Sequence, residues 1–384
     1  MKIITEADVN GKKVIVRVDY NVPRKDGKII DDTRMVGSLK TINYLIDNNA
    51  KIILLSHLGR VESEEDKKKN SLKVVADHLS SLVKVPVYFS RNTKGEELEA
   101  MVNNLQEKEI ILVENTRYED VPTKLESSCD EKLSKYWASL GDIFVLDAFG
   151  SAHRCHASTY GISKYIPSYA GFLVSEETEM LNKAMKEKKT LLLGGAKVDD
   201  KIGVINNLIT NSDKVLIGGA MCFTFLKVKG INVGKSIVSE ENIDYVKSLL
   251  DKYSKKIFLP IDVVTESGIK DIDKLSDNDI GYDIGPKTIK EFEKLLSGSK
   301  LVLWNGPLGK YEESAYEKGT KDIMEYLEKQ DFPTILAGGD VTGAATHFKA
   351  KMYYVSTGGG STLEYLEGKK FKTLERLNGE ELLK

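Results

Sequence analysis

The chain has 384 residues, a length that suggests roughly two to three domains. Its hydrophobic share of 41% and charged share of 30% are typical of globular proteins, and a formal net charge of -2 gives no general attraction to nucleic acid or membranes. We find no apolar run of signal-peptide or membrane-span length, and three widely spaced cysteines indicate no disulfide framework. We therefore expect a cytoplasmic protein without nucleic-acid or membrane partners.

Short apolar runs recur along the whole chain and alternate with stretches of helical spacing such as 33–49 and 246–256. Most of these runs are nearly continuous, which is typical of strands buried on both faces of a parallel sheet. The sequence therefore predicts an α/β fold with mainly parallel sheets. The predicted strands are 13–19, 51–56, 85–89, 109–114, 142–147, 190–195, 214–219, 256–264, 300–306, 333–339 and 351–357.

The ends of these strands differ between the two halves of the chain. Seven of the eight arginines lie in the first 154 residues, where strands end in Asp, His, Arg or Asn, whereas later strands end in Gly-Gly or Asn-Gly. Ligands of open α/β sheets bind beyond the carboxyl ends of the strands. We therefore predict two ligands, a small anion gripped by arginine side chains and a second ligand held by backbone amides. Residues 165–189 would connect the halves, mainly as one long helix.

The strongest local signal is LLLGGAKVDDKIGVINNL at 191–208. Gly194 and Gly195 would let the chain approach a ligand closely, and a helix start attracts phosphate. Lys197 and Lys201 are four residues apart, so on a helix both would face a phosphoryl group. Taken alone, a glycine turn with solvated lysines explains this run equally well.

Further glycine junctions strengthen the interpretation of the second half. WNGPLGKYEE (304–313), AGGD (337–340) and STGGGSTLEYL (356–366) each follow a predicted strand. Several such junctions, with Asp340 placed for a Mg²⁺ ion, favour nucleotide binding.

Three other patterns do not support a P-loop, a dinucleotide-binding site or a metal site. GINVGKS (230–236) has three residues between its glycines where a P-loop needs four. No dinucleotide fingerprint follows the first strand, where Asp19 and Asn21 stand in place of glycines. His153 and His156 have a spacing that could bind metal, but no cysteine or carboxylate completes the set.

The motifs together resemble the phosphoglycerate kinase family. RVDYNVP, DDTRM, SHLGR, ENTRY, DAFGSAHRCHAST, GGAKVDDKIGVI, DIGP, WNGPLG and STGGGSTLEYLEG occur in the family's order and spacing from end to end. The resemblance implies two Rossmann-like lobes joined by a long hinge helix, in a chain expected to be a monomer. Residues 1–165 would bind 3-phosphoglycerate, 166–184 would form the hinge helix, 185–365 would bind nucleotide, and 366–384 would return to the first lobe.

The resemblance also implies a reaction and its residues. A phosphoryl group would pass reversibly between ATP, bound with Mg²⁺, and the carboxylate of 3-phosphoglycerate, giving ADP and 1,3-bisphosphoglycerate. Arg34, Lys197 and Lys201 would flank the transferring group, and Asp340 would lie near the metal. The 3-phosphoglycerate site would comprise Asp19, Tyr20, Asn21, Arg34, His57, Leu58, Gly59, Arg60, Arg117, His153 and Arg154. The nucleotide site would comprise Gly194, Lys201, Gly219, Gly281, Asn305, Glu312, Gly338, Gly339, Asp340 and Val341.

The chemistry agrees with this reaction. A carboxylate acceptor is already ionised at neutral pH, so it needs no general base, and none is evident in the sequence. Phosphoryl transfer then depends on in-line positioning and on cations that neutralise charge.

Several positions depart from the family's usual residues. Tyr20 stands for phenylalanine, Leu146 for asparagine and Cys155 for alanine. Ala220 replaces a glycine near the expected adenosine site, and Val341 lacks the hydroxyl expected near the phosphates. Only the backbone amide of Val341 carries over, so the nucleotide preference stays open.

Two other classes share parts of this pattern. A two-lobed solute-binding protein has a hinge and a ligand cleft, but it normally carries an export signal and does not need Lys197, Lys201 and Asp340. A dehydrogenase of two α/β lobes needs a dinucleotide fingerprint, which this chain lacks after its first strand.

Overall fold

The structure is a computed structural model that describes residues 1–379. The described residues form two compact units, the first from residues 1–178 together with 370–379 and the second from Glu179–Lys369. The strands are β1 (Lys13–Val18), β2 (Arg24–Lys25), β3 (Lys28–Ile29), β4 (Lys51–Leu55), β5 (Val87–Ser90), β6 (Ile110–Val113), β7 (Ile143–Asp147), β8 (Ser168–Ala170), β9 (Lys189–Leu193), β10 (Ser212–Ile217), β11 (Ile257–Phe258), β12 (Asp262–Thr265), β13 (Gly268–Asp271), β14 (Gly281–Ile284), β15 (Val302–Asn305), β16 (Thr334–Leu336) and β17 (Tyr354–Val355). The α-helices are α1 (Thr33–Asp47), α2 (Glu64–Lys69), α3 (Lys73–Leu82), α4 (Glu96–Asn104), α5 (Glu131–Ala138), α6 (Phe172–Lys186), α7 (Ile202–Leu208), α8 (Cys222–Val228), α9 (Ile243–Tyr253), α10 (Pro286–Leu296), α11 (Lys318–Glu328), α12 (Gly339–Phe348), α13 (Gly360–Leu366) and α14 (Lys372–Arg376).

The first unit is built on a six-stranded sheet in the order β5-β6-β4-β1-β7-β8. All its pairings are parallel, and β1 pairs with β4 on one side and β7 on the other. The apolar residues of these central strands are buried on both faces, as their continuous apolar sequence predicts. Because the strands are parallel, their carboxyl ends meet at one edge. Asp19, His57 and Asn115 follow β1, β4 and β6 at that edge.

The second unit repeats this plan with different strand ends. Its parallel sheet has the order β11-β10-β9-β15-β16-β17, and β9 lies between β10 and β15. Gly194, Gly218 and Gly306 follow β9, β10 and β15. A separate antiparallel sheet, β13-β12-β14, belongs to the same unit. The glycine-rich strand ends therefore meet at the carboxyl edge of the second sheet.

The prediction of an α/β fold with mainly parallel sheets is confirmed. The single strand predicted over 256–264 is wrong, because Pro260 lies between β11 in the parallel sheet and β12 in the antiparallel one. Proline has no N–H to donate to a ladder, so the run divides there. The short strands β2, β3, β8, β13 and β14 were not predicted.

The connector also differs from the helix predicted over 166–184. Ser168–Ala170 forms β8, which pairs with β7 at the sheet edge, and the helix α6 runs over Phe172–Lys186. The N–H groups of Leu173 and Val174 donate to Asp147 Oδ1 at 3.0 and 3.4 Å. These bonds give partners to two N–H groups of the first turn, which have none within the helix. The two compact units divide within this helix, between Thr178 and Glu179.

The end of the chain contributes to the first unit. The Phe371 ring lies 6.1 Å from that of Phe149 and 6.2 Å from that of His153, measured between centroids. The Thr373 hydroxyl donates to the Ala152 carbonyl. These contacts brace the segment that carries His153. Residues 380–384 of the predicted tail lie outside the described part of the chain.

Within residues 1–379, no helix combines the length and apolar character needed to cross a membrane.

Candidate active site

Two loops at the carboxyl edge of the first sheet are tied together by polar contacts. Arg34, in the first turn of α1, places Nη1 3.3 Å from both carboxylate oxygens of Asp19 and donates to the Asn21 carbonyl at 3.1 Å. Asn21 Oδ1 in turn accepts from the N–H of Gly59 at 2.9 Å. The Arg34 side chain remains 36% exposed, so it is held in place while still accessible to a ligand.

His57 is held by a buried arginine from the neighbouring strand. Arg17 of β1 places Nη2 3.0 Å from His57 Nδ1, and its Nε donates to Ser158 Oγ at 2.8 Å. An arginine only donates, so Nδ1 accepts and the neutral ring carries its proton on Nε2. Burial lowers the pKa of His57 well below its ordinary 6.5, and the charges of Arg17 and Arg117 lower it further. His57 therefore offers a neutral N–H donor.

A cavity of about 500 Å³ at the same edge is lined by four cationic side chains, Arg60, Arg117, Lys124 and Arg154, which outnumber the carboxylates of Glu62 and Asp120 on the same cavity. Arg117 Nη1 donates to the Gly59 carbonyl at 2.7 Å, and Arg154 Nε donates to His153 Nε2 at 2.9 Å. Burial lowers the pKa of Arg117, and the nearby charge of Arg154 lowers it further. Like charges gathered on one cavity favour a multiply charged anion.

The sequence analysis assigned no role to Asn115, which organises this loop. It is fully buried, its Oδ1 accepts from the N–H groups of Leu58 (3.2 Å) and Arg117 (3.1 Å), and its Nδ2 donates to the carbonyls of Leu58 (2.7 Å) and Asn70 (2.8 Å). The only available signal was its position one residue beyond an apolar run and two residues before an arginine.

Two of the residues in the predicted substrate site turn their side chains inward. Tyr20 is buried and its hydroxyl pairs with Ser38 Oγ at 3.0 Å. Leu58 is buried in the same core. Only their backbones lie at the sheet edge.

In the second unit, the strand-end loops interlock through their backbones. The N–H of Gly194 donates to Asn305 O at 2.9 Å, that of Gly195 to Pro307 O at 2.8 Å, and that of Gly219 to Leu308 O at 3.0 Å. A Cβ on Gly194 would lie 2.1 Å from Pro307 O. A side chain cannot fit there, so the sequence requires glycine.

These loops form one wall of a cleft of about 390 Å³. Gly195, Gly219, Gly281, Glu312 and Asp340 line it. Asp340 lies in the first turn of α12, a ten-residue helix that begins at Gly339, and the turn's unpaired N–H groups attract anions. Gly338 precedes this turn at φ 99°, where a Cβ would lie 2.4 Å from Asn305 Nδ2. The cleft therefore combines backbone donors with carboxylates.

The prediction that Lys197 and Lys201 share a helix face is wrong. Asp199–Lys201 forms a 3₁₀ turn, in which the Lys201 N–H donates to Val198 O at 2.8 Å, and α7 begins only at Ile202. Lys197 is exposed, whereas Lys201 is buried and its side chain lies against Gly195. Burial lowers the pKa of Lys201, while the charges of Asp200 and Asp340 oppose that shift.

The cleft presents two carboxylates, those of Glu312 and Asp340. Residues 1–379 contain no cluster of three or more His, Cys, Asp or Glu side chains arranged for a metal ion. Magnesium commonly uses one or two carboxylates together with substrate phosphates and water. Asp340 and Glu312 could supply such carboxylates.

Comparison with known proteins then decides the family. The phosphoglycerate kinase family model matches residues 4–369. The phosphoglycerate kinase of Fusobacterium nucleatum is 49% identical over 394 residues, covering 98% of this chain and 99% of that protein, and the one of Lacticaseibacillus casei is 50% identical over 381 residues, covering 96% of each. The structure of phosphoglycerate kinase from Coxiella burnetii aligns with a TM-score of 0.86 at 36% identity and 98% coverage of both chains.

The chain belongs to the phosphoglycerate kinase family. The family resemblance inferred from the sequence is thereby confirmed. Membership excludes the solute-binding protein and the dehydrogenase as alternatives.

The contact between Arg17 and His57 predicts the state of this histidine. Nitrogen-15 NMR should show His57 as the neutral Nε2–H tautomer at about pH 8 and still at about pH 6.5, where an ordinary histidine is half protonated, because burial and the nearby arginines hold its pKa well below that value. The unfolded chain binds a proton near pH 6.5 that the folded chain does not, so His57 should lower stability as pH falls below that value. A His57 resonance that titrates between pH 6 and 7, or carries its proton on Nδ1, contradicts the assignment.

Val341 yields a second prediction, because its side chain is fully buried in the apolar core with Trp304 and Ala344. Val341→Thr would bury a hydroxyl there and should lower the free energy of unfolding by about 1–2 kcal/mol without tightening MgADP binding. Urea denaturation and calorimetry measure the two effects. Tighter nucleotide binding by the variant would show that residue 341 reaches the cleft.

Proposed function

We propose that the strand-end sites of the two units hold the two substrates of the family's reaction. The chain is a phosphotransferase that transfers a phosphoryl group reversibly between ATP and the carboxylate of 3-phosphoglycerate, giving ADP and 1,3-bisphosphoglycerate in glycolysis and gluconeogenesis. The assignment of sites rests on the guanidinium groups of Arg60, Arg117 and Arg154, which line one cavity of the first unit. A compact anion with two negatively charged groups matches that site.

In the first unit, Arg60, Arg117 and Arg154 bind the phosphate of 3-phosphoglycerate. Guanidinium groups grip phosphate oxygens in pairs, and their mutual repulsion falls when the anion arrives. Asp19 and Asn21 orient the substrate hydroxyl. The Nε2–H of His57 donates to the bound anion, and Arg34 faces the carboxylate. Tyr20, Leu58 and Gly59 act through the backbone, while His153 supports Arg154.

In the second unit, the first turn of α12 and Lys201 bind the nucleotide phosphates. The N–H groups of Gly339, Asp340 and Val341 lie in the part of the helix that lacks intrahelical partners. Asp340 holds Mg²⁺, which neutralises phosphate charge when it is bound with the nucleotide. Gly219, Gly281 and Glu312 line the rest of the cleft. Gly194, Asn305 and Gly338 do not line it but support the loops behind it, since the Gly194 N–H donates to the Asn305 carbonyl and Gly338 packs against the Asn305 side chain.

Charge neutralisation, rather than proton transfer, drives the chemistry. The acceptor carboxylate is ionised, so no side chain removes a proton. Arg34 neutralises the transferring phosphoryl group from the substrate side, and Lys197 and Lys201 do so from the nucleotide side. Lys201 is already desolvated, which strengthens its interaction with an anion. We also propose that α6 is the connecting hinge helix and that the chain acts as a cytoplasmic monomer without nucleic-acid partners, in line with its small net charge.

A coupled assay tests this function. The protein, 3-phosphoglycerate and MgATP are mixed with glyceraldehyde-phosphate dehydrogenase and NADH, and NADH oxidation is followed. Oxidation that requires all components is the expected result. Its absence with folded protein would refute the function.

Arg34→Lys should behave as a severe change, because lysine keeps the charge but loses the planar fork. In that fork Nη1 holds Asp19 and the Asn21 carbonyl while the other guanidinium nitrogens remain for a ligand. We expect kcat to fall by more than the KM for 3-phosphoglycerate rises. Arg91→Lys, at an exposed position of the first unit, is the control and should match the wild type. A change in KM alone would mean that Arg34 contributes only ground-state binding.

Lys201→Met should lower turnover by roughly 100-fold or more, as expected for loss of a desolvated charge donor. Calorimetry should show 3-phosphoglycerate binding unchanged, because Lys201 belongs to the second unit. Lys255→Met, at an exposed position of that unit, serves as the control. Turnover within a few-fold of the wild type would show that Lys201 has no catalytic role.

A further inference from the structure

The cleft of the second unit has two chemically different parts. Lys201 lies against Gly195 and interacts electrostatically with Asp340, so these charged and backbone groups share one part. The other part is formed by apolar and aromatic residues. It comprises Ile237, Ile280 and Tyr282, with Lys310 at its edge.

Hydrogen bonds join the members of this second part. The N–H of Gly281 donates to Ser236 Oγ at 3.0 Å, which places Ile237 beside Ile280. The N–H of Lys310 donates to Tyr282 O at 2.9 Å, which fixes the loop after β15 beside β14. The part of the cleft suited to a flat apolar group therefore contains a lysine.

The lysine and the tyrosine also pair through their side chains. The Lys310 ammonium lies 5.9 Å from the centroid of the Tyr282 ring. The ring is braced by Tyr316, stacked at a centroid distance of 4.6 Å, and its hydroxyl donates to Glu266 Oε1 at 3.3 Å. The hydrogen bond to Glu313 raises the pKa of Lys310, so the ammonium stays protonated. These contacts keep a positive donor at the margin of the cleft.

This donor distinguishes between purine bases. An ammonium group donates hydrogen bonds and accepts none. Adenine carries an amino group at C6, which is itself a donor, whereas guanine and hypoxanthine carry an oxygen there. Lysine pairs well with the O6 and N7 acceptors of guanine, and adenine offers it only N7.

We propose that Lys310, held beside Tyr282, is a specificity-determining residue that increases the specificity for nucleotides with an oxygen at purine C6 relative to that for adenine nucleotides. The inference rests on the proposed function, in which this cleft binds the nucleotide. Its apolar part receives the base, because the charged part with Lys201 and Asp340 suits the phosphates. Val341 takes no part in this discrimination, since its side chain lies in the core.

The test compares nucleotides rather than absolute rates. The coupled assay is run at saturating 3-phosphoglycerate with varied MgATP, MgGTP or MgITP, because its dehydrogenase step does not depend on the nucleotide. The specificity ratio is kcat/KM for MgGTP or MgITP divided by kcat/KM for MgATP. Lys310→Met should lower this ratio by about fivefold or more, from loss of a charged hydrogen bond.

Two further variants separate the donor from the side chain's bulk. Lys310→Arg keeps donors that pair with O6 and N7, so its ratio should stay within about twofold of the wild type. Lys318→Met is the control, because Lys318 is an exposed residue that pairs with Asp322 on α11 and does not line the cleft.

The outcomes decide the proposal. The proposal is supported if the specificity ratio falls in Lys310→Met but stays within about twofold of the wild type in Lys310→Arg. An equal loss for all three nucleotides would place Lys310 on the ribose or phosphates, and an unchanged ratio would remove it from base recognition; either result overturns the proposal. Calorimetry with MgADP and MgGDP repeats the comparison without turnover. If the wild type turned over no nucleotide, the proposed function would fail, and the binding ratios would still decide the role of Lys310.

Discussion

The crowding of positive charge at the carboxyl edge of the first sheet is the constraint on which the substrate site depends. Arg17 is buried inside β1, and its charge is coupled to the buried Glu126 through Ser158, which accepts from Arg17 Nε at 2.8 Å and donates to the Glu126 carboxylate. That arrangement compensates one buried cation. Arg60, Arg117 and Arg154 still gather on one cavity and repel one another. A bound anion relieves this repulsion, and the network beneath keeps the groups in place until it arrives.

The second unit meets a different demand with backbone instead of charge. Its strand-end loops approach so closely that Gly194 and Gly219 have no room for a side chain. This leaves part of the cleft lined by peptide groups, with Asp340 on its wall and Lys201 against Gly195. A cleft lined mainly by peptide groups and apolar side chains suits a ligand that has a flat base and brings phosphates with a bound metal ion. In the proposed function the two edges divide the chemistry between arginine side chains and backbone amides, which is the division that the distribution of arginine and glycine along the chain predicts.

The sequence predicted the parallel α/β architecture because buried parallel strands read as continuous apolar runs. It placed His57 and Arg117 at strand ends for the same reason. It could not show that Asn115 holds both loops or that Arg17 fixes the tautomer of His57, since these contacts join residues far apart in the chain. The prediction that Lys197 and Lys201 share a helix face was wrong, because their spacing does not show that the helix begins only at Ile202, after both lysines. The sequence also could not predict a role for Lys310, since its contact with Tyr282 joins residues far apart in the chain.

We infer that Arg60, Arg117 and Arg154 let the first unit recognise a phosphate-bearing anion without the help of nucleotide. Calorimetric titration with 3-phosphoglycerate and, separately, with D-glycerate, both without nucleotide and at two salt concentrations, tests this recognition. We expect that 3-phosphoglycerate binds, that its affinity falls as salt screens the guanidinium charges, and that D-glycerate, which lacks the phosphate, does not bind measurably. Equal binding of the two ligands, or binding of 3-phosphoglycerate that is insensitive to salt, would contradict it.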